Sequence, residues 1–221
     1  MERIAPDLYR LAGGLGTAVV HLVIADVPTL IDAGPPGSGP AIERALRAAG
    51  IAPRRIVFTH GDPDHVGGSD HLRTAFGAEV WAAAGERPLI ERTSWPELPR
   101  RRRIIMPLFF RGTPPPVIDR WFESTADLAA GGIGGLSVVA TPGHTPGHVA
   151  FEWRDWLVAG DAFVSGNAFR ESPRIFTIDR TTARQSIERL AARDLKGVSS
   201  SHGRPATDVA PKFEALSRRW R

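Results

Sequence analysis

Thr59-His60-Gly61-Asp62-Pro63-Asp64-His65-Val66-Gly67-Gly68 puts four potential metal ligands within six residues, just after the short apolar run Ile56-Val57-Phe58. Residues 55–59 have the length and content of a buried strand, so His60 stands at a strand exit. Alternate residues leave an extended backbone on opposite faces. A turn there can aim His60 and Asp62 one way and Asp64 and His65 another. Pro63 stiffens the turn, and Gly67-Gly68 lets the following backbone come close to its neighbours. Any one of these residues alone fits an Asx-rich surface turn; their density is what points to a metal.

Three further clusters share this character. Thr141-Pro142-Gly143-His144-Thr145-Pro146-Gly147-His148 sets two histidines in a Pro/Gly-stiffened loop after an apolar strand. Val158-Ala159-Gly160-Asp161 places a carboxylate after a buried run, and Ser199-Ser200-Ser201-His202-Gly203 repeats the strand-exit histidine. Five of the seven histidines lie in these loops. Strand-end loops that meet at one edge of a sandwich would make an imidazole and carboxylate cage. The remaining histidines read as a strand residue, His21, and a surface helix residue, His71.

Around these loops the chain alternates strands and helices. Residues 18–25 and 29–31 are β-rich and separated by Asp26-Val27-Pro28, a hairpin turn. A Gly/Pro loop covers 34–40, and 41–49 has apolar residues at helical spacing that stop at Gly50. Helix is expected over 67–76, 181–193 and 210–220. Strands are expected over 79–83, 136–140, 149–159 (turning near Arg154-Asp155) and 197–201. Strands followed by helices, twice over, indicate a layered α/β (α+β) sandwich in a single domain spanning 1–221. Residues 86–121 break the pattern with Trp95-Pro96, four consecutive arginines (100–103), an apolar stretch and Pro114-Pro115-Pro116. They read as an insertion or cap.

Composition narrows the partners. The 221 residues include 42% hydrophobic and 24% charged residues, ordinary for a globular protein. No apolar run approaches the roughly 18–20 residues of a membrane span, so no membrane partner is expected. The N-terminus lacks an apolar signal core, which favours a cytoplasmic location. Zero cysteines exclude disulfides and thiolate ligands. The net charge of +4 could suit an anionic partner, but only Lys196 and Lys212 among the 28 basic residues are lysines. That skew reads as genome composition or a hot habitat rather than a nucleic-acid surface. A small-molecule substrate is expected.

The order and spacing of these clusters resemble the metallo-β-lactamase superfamily, whose signature is His-x-His-x-Asp-His followed by a distant His, an Asp and a His. Leu30-Ile31-Asp32-Ala33-Gly34 is similar to that family's early strand end, and the match runs from about Tyr9 to His202, with the 86–121 segment as the exception. The resemblance implies a four-layer αββα sandwich and a binuclear metal-dependent hydrolase. By position, His60, Asp62 and His144 would hold one metal, Asp64, His65 and His202 the other, and Asp161 would bridge them. It also implies a metal-bridging hydroxide as nucleophile, with Asp64 as the catalytic carboxylate that orients it or passes its proton on. Asp32 reads as a brace for a ligand, and His148 as a residue that supports ligands rather than binding metal.

One position departs from the pattern: Asp62 stands where most of the superfamily has histidine. Three carboxylates and one hydroxide would cancel the charge of two divalent ions, whereas the usual set leaves one positive charge over. Such a site is a weaker Lewis acid and tolerates manganese or iron better, although zinc remains the first expectation. Flavodiiron proteins resemble this chain in carrying a carboxylate there, but no flavodoxin-like domain follows His202.

The substrate is less legible. Glyoxalase II-type thioesterases carry a helical glutathione-binding region, and only 19 residues follow His202. Acyl-homoserine lactonases use a tyrosine near the bridging aspartate, where this chain has Ala162, Phe163 and Val164. True β-lactamases need an antibiotic-anchoring lysine, and neither lysine is placed for that. In the 86–121 segment, Phe109, Phe110 and Arg102 are candidate substrate contacts; the alternative is that the segment packs on the core or on a second copy of the chain in a homodimer. The favoured class is hydrolysis of a small ester, thioester or lactone. The alternatives are a phosphodiesterase or nuclease and a di-iron redox protein.

Overall fold

In the central strands, adjacent residues send their side chains into different cores, and this sorting builds the layers. The computed structural model describes residues 1–11, 18–93, 103–104, 108, 113–123 and 135–220. Its first sheet runs β1 (Glu2–Ala5), β2 (Leu8–Leu11), β3 (Val20–Val23), β4 (Thr29–Ile31), β5 (Arg55–Val57), β6 (Glu79–Ala83) and β7 (Arg120–Phe122) in spatial as well as chain order. The strands pair antiparallel up to β4 and parallel from β4 to β7. The second sheet has the order β12-β11-β10-β9-β8, from β8 (Leu136–Ala140), β9 (Val149–Trp153), β10 (Trp156–Val158), β11 (Gly197–Ser199) and β12 (Ala206–Thr207).

Leu22, Leu30, Ile56 and Val80 face helices α1 (Gly39–Ala48) and α3 (Ser69–Phe76), packing on Ile42, Leu46 and Leu72. Their chain neighbours Val23, Ile31, Val57 and Trp81 face the other sheet, against Val138, Phe151, Trp153 and Val158. Beyond that sheet, Ala150, Leu157 and Val198 meet Ile187, Leu190, Phe213 and Leu216 of helices α5 (Arg180–Ala191) and α6 (Val209–Ser217). The result is helix, sheet, sheet, helix: the four-layer αββα sandwich. Each fully buried Leu, Ile or Phe contributes roughly 1.5–3 kcal/mol. Helix α5 presents Ala183, Ser186, Ile187 and Leu190 to this core at helical spacing, and Asp179 caps it by accepting from the Thr181 and Thr182 N–H groups at 2.9 and 3.0 Å.

Several elements differ from the sequence expectations. The first motif is not extended after His60: Pro63–Val66 forms a short helical turn, α2, with Asp62 in extended conformation just before it. Proline is preorganised for the first helical position, so Pro63 starts a turn rather than merely stiffening a loop. The directions of Asp64 and His65 are therefore set by helical, not strand, geometry. Gly67 and Gly68 lie on the turn's exit, where a Cβ would come 2.2 Å from Pro36 N and 2.3 Å from the Ala33 carbonyl. Strands β1, β2 and β12 are too short to announce themselves by periodicity.

Both ends of the 86–121 segment belong to the core. A 3-10 turn (Ala84–Glu86) leads into α4 (Arg87–Ile90), which buries Leu89 and Ile90, and Arg120–Phe122 completes the first sheet. Among the described residues no helix is long and apolar enough to cross a membrane.

Candidate metal centre

The strand-end loops meet where the two sheets are tied together. The Val149 N–H donates to the Thr59 carbonyl at 2.9 Å, joining the second sheet to the loop after β5. The Val19 N–H donates to the Ser201 carbonyl, also at 2.9 Å, and the Ser201 N–H to the Gly160 carbonyl at 3.0 Å. Backbone bonds alone thereby lock the His60 loop to the His148 loop, and the Asp161 loop to the His202 loop.

Asp32 organises the first motif from beneath. It has a left-handed backbone (φ 65°), which aspartate tolerates better than most residues, and it is fully buried. Its Oδ1 accepts from the Thr59 N–H at 2.8 Å and its Oδ2 lies 2.8 Å from His65 Nδ1. A carboxylate can only accept, so Nδ1 carries a proton, and Nε2 is the nitrogen that faces Asp64 and Asp161. The Thr59 hydroxyl donates to Asp32 and sits 3.0 Å from His60 Nδ1, fixing the same tautomer there. Nε2 of His60 and of His65, and Oδ1 of Asp161, are buried with no hydrogen-bond partner among the described residues. Buried polar atoms are rarely left so, and these three residues, whose ligand atoms lie within 4.8 Å of one another, are what bound cations would satisfy.

The spacings fit that reading. Bonds of about 2.1 Å at tetrahedral angles leave neighbouring ligand atoms about 3.4 Å apart. Asp62 Oδ2 lies 3.5 Å from His60 Nε2 and 3.2 Å from His144 Nε2. His202 Nε2 lies 3.1 Å from Asp64 Oδ2, and His65 Nε2 is 4.0 Å from the same oxygen. Asp161 touches both groups: its Oδ2 is 3.7 Å from His144 and 3.3 Å from His202, its Oδ1 3.5 Å from His65. Ligand atoms of His60, Asp62 and His144 lie within 4.8 Å of one another, as do those of Asp64, His65 and His202.

His148 is part of the frame of this cage. Its Nε2 accepts from the Asp161 N–H at 3.0 Å, and its Nδ1 is 2.7 Å from the Thr141 hydroxyl, so both nitrogens are engaged. Burial, reinforced by His60, keeps its pKa well below the usual histidine value. Burial likewise opposes charge on His65, but Asp32, Asp161 and Asp64 overcome it and raise the pKa to about 10. His202 is also raised to about 10, burial again being outweighed by Asp161 and Asp64. Asp161 is burdened by burial yet held well below the carboxylate range by His65 and His202. The cavity is thus strongly charged, with acid and base groups compensating each other.

All seven candidate ligands, together with Asp32 and His148, therefore come to one place. Phe109, Phe110 and Arg102 lie outside the described residues. His71 pairs with Glu43 at 2.7 Å on the surface, while His21 is a buried strand residue bonded to Ser199 Oγ at 2.8 Å. Sequence reasoning missed Thr59, Thr141, Ser172 and Glu86. Thr59 and Thr141 open their histidine motifs, so a hydroxyl next to a ligand was a readable signal. Ser172, whose hydroxyl donates to the Asp161 carbonyl at 2.6 Å, and Glu86 carry no local signal.

Comparison with known proteins agrees with this architecture. Residues 13–202 match the family model described as the metallo-beta-lactamase superfamily. The chain is 28% identical to the probable metallo-hydrolase YflN of Bacillus subtilis (strain 168), over 88% of this chain and 84% of that one. It is 32% identical to the hydroxyacylglutathione hydrolase GloC of Haemophilus influenzae, over 52% of each; it thus aligns with only about half of that relative's length. Among solved structures, TTHA1623 in a di-iron-bound form superposes with a TM-score of 0.71 at 24% identity, covering 91% of this chain and 96% of that one. By the span of the family match, and by a sandwich whose strand-end loops gather these side chains, the chain belongs to the metallo-β-lactamase superfamily of metal-dependent hydrolases.

Proposed function

We propose that this centre binds two divalent cations and hydrolyses a small ester-type substrate, a thioester being the first choice. The observation that carries the reading is the pair of ligand triads with Asp161 in contact with both, together with three orphaned buried atoms. Two cations there would polarise an acyl carbonyl and lower the pKa of a water towards neutrality. The chain's own groups do the rest. Asp64 is the most open of the three carboxylates, its side chain 36% exposed and its Oδ2 3.1 Å from His202, so it can receive a proton at the mouth of the site. Asp32, Thr59 and His148 hold the histidines and Asp161 in place, so the cage needs little reorganisation. Support for a thioester comes from relatives named hydroxyacylglutathione hydrolases, of which this chain spans 40% and 52%.

Zinc is the preferred ion, but three carboxylates offset three of four cationic charges and make the site oxygen-rich, which suits manganese or iron as well. TTHA1623, which shares this fold, has a di-iron-bound form. Elemental analysis after zinc loading should find two ions per chain, falling to near none in Asp161→Ala. The loaded protein should turn over thioesters, esters or lactones in preference to phosphodiesters. One ion or none in the unaltered chain, or turnover of phosphodiesters alone, would overturn the reading.

A further inference from the structure

Glu86 is a carboxylate 1% exposed, deep in the molecule, and none of the roles assigned above uses it. Its Oε2 accepts from the Gly61 N–H at 2.8 Å, and its Oε1 accepts from the Gly147 N–H, also at 2.8 Å. Gly61 lies between His60 and Asp62; Gly147 lies in the loop that carries His144. One side chain thus spans the two loops that supply the whole of the first triad, and among the described residues no hydrogen bond ties it to Asp64 or to the His202 loop.

The surrounding backbone is fitted to this span. A Cβ on Gly147 would come 2.4 Å from the Gly85 carbonyl carbon and 2.5 Å from Glu86 N, and one on Gly85 would come 2.9 Å from Gly147 Cα. A Cβ on Gly61 would meet Ile90 at 2.8 Å and the Glu86 carboxylate at 3.3 Å. The 3-10 turn Ala84–Glu86 is therefore wedged between the loops with no room for a side chain on either facing glycine. Burial is the largest influence on the Glu86 carboxyl and raises its pKa, while the two backbone N–H groups favour the charged form. Two donors aimed at two oxygens leave no geometry in which an amide could replace the carboxylate without setting an NH2 group against an N–H.

We propose that Glu86 is a positioning residue for one of the two cations: it sets the distance between the His60–Asp62 loop and the His144 loop, and so governs the affinity of the first triad and not the second. The inference rests on the two-cation reading. It goes beyond that reading by making the sites separable through a residue that is not a ligand.

The test uses zinc ions alone, with affinity read by competition against a chromophoric chelator. His202→Ala leaves the first triad intact, and His144→Ala leaves the second. In the His202→Ala background, Glu86→Gln should weaken zinc binding by about 10–100-fold, the usual effect of removing a group that orients ligands. In the His144→Ala background the change should stay below about threefold. Equal weakening in both backgrounds would make Glu86 a general structural brace, and no weakening in either would remove its role. Either result overturns the inference. Glu86→Asp keeps the charge but is one methylene too short to reach both loops. It should weaken the first triad as well, and wild-type affinity would show that charge alone matters. If Glu86→Gln does not fold, Glu86→Asp decides the matter by the same two measurements. Failure of the unaltered chain to take two zinc ions would count against the two-cation reading, whatever Glu86 does.

Discussion

At Asp62 the chain departs from the signature of the family it resembles, and the geometry gives the departure a consequence. One oxygen lies 3.2 Å from His144 Nε2 and 3.5 Å from His60 Nε2, the spacing of a shared ligand cage. Replacing an imidazole by a carboxylate there adds a negative charge and a hard donor. Asp62→His should shift the preference of the first triad from manganese towards zinc, and Asp62→Ala should weaken that triad for both. Competition titrations with the two ions measure this. Unchanged selectivity in Asp62→His together with unchanged affinity in Asp62→Ala would show that the carboxylate does not bind the ion. These candidate ligands were legible in the sequence because His-x-Asp-x-Asp-His is dense in ligand types and follows an apolar strand. Glu86 was not, because its partners lie 25 and 61 residues away and nothing near it in the chain suggests a ligand.

At the scale of elements, the loop between β10 and α5 is held to the helix by Glu171. Arg180 hydrogen-bonds both of its oxygens, and Arg184 Nε donates at 2.8 Å. The Arg180 hydrogen bond, with help from Arg184 and against partial burial, lowers the Glu171 pKa to about 2. A folded-state pKa below the unfolded value of about 4.5 means the pairing stabilises above pH 4.5. That contribution is lost as pH falls towards about 2. Allowing for solvent screening of the partly exposed arginines, Glu171→Gln should cost roughly 1–2 kcal/mol at pH 7 and almost nothing at pH 2. Thermal melts at the two pH values measure it, and an equal loss at both would refute the assignment. The 86–121 segment makes a second prediction. Alanine at Arg100, Arg101, Arg102 and Arg103 should lower kcat/KM for anionic substrates and spare neutral esters if they clamp an anion. Equal kinetics on both classes would show that they do not touch substrate.

Across the whole molecule, the metal-binding loops are also the places where the two sheets are joined, through Val149 to Thr59 and Val19 to Ser201. Cations that satisfy the orphaned atoms of His60, His65 and Asp161 should therefore stabilise the sandwich as a unit. A ligand at 100 times its dissociation constant adds about 2.7 kcal/mol. For a domain of this size, zinc loading should raise Tm by roughly 5–10 °C, and a chelator should reverse it. A melting curve indifferent to zinc and chelator would argue against a cation in the cage.

The sequence by itself determined the fold class, most of the elements around the site and the candidate residues of the cage. Apolar runs of strand length, the amphipathic spacing of α1 and α5, and ligand-rich strand exits are all short-range patterns, and short-range patterns survive in a linear text. It did not determine that Pro63–Val66 would be helical, since four residues carry too little periodicity to be read. Nor could it show that both ends of the 86–121 segment lie in the core, because β7 pairs with β6 across a gap of more than thirty residues. The sequence singled out Asp32 and His148 as supports, but only the tertiary structure decided what they grip and added Glu86 to them. Asp32 reaches Thr59 and His65, His148 receives the Asp161 N–H, and Glu86 clasps Gly61 and Gly147. These are hydrogen bonds between residues distant in sequence, made possible by burial and chain closure. Their partners can be chosen only once the layers have packed.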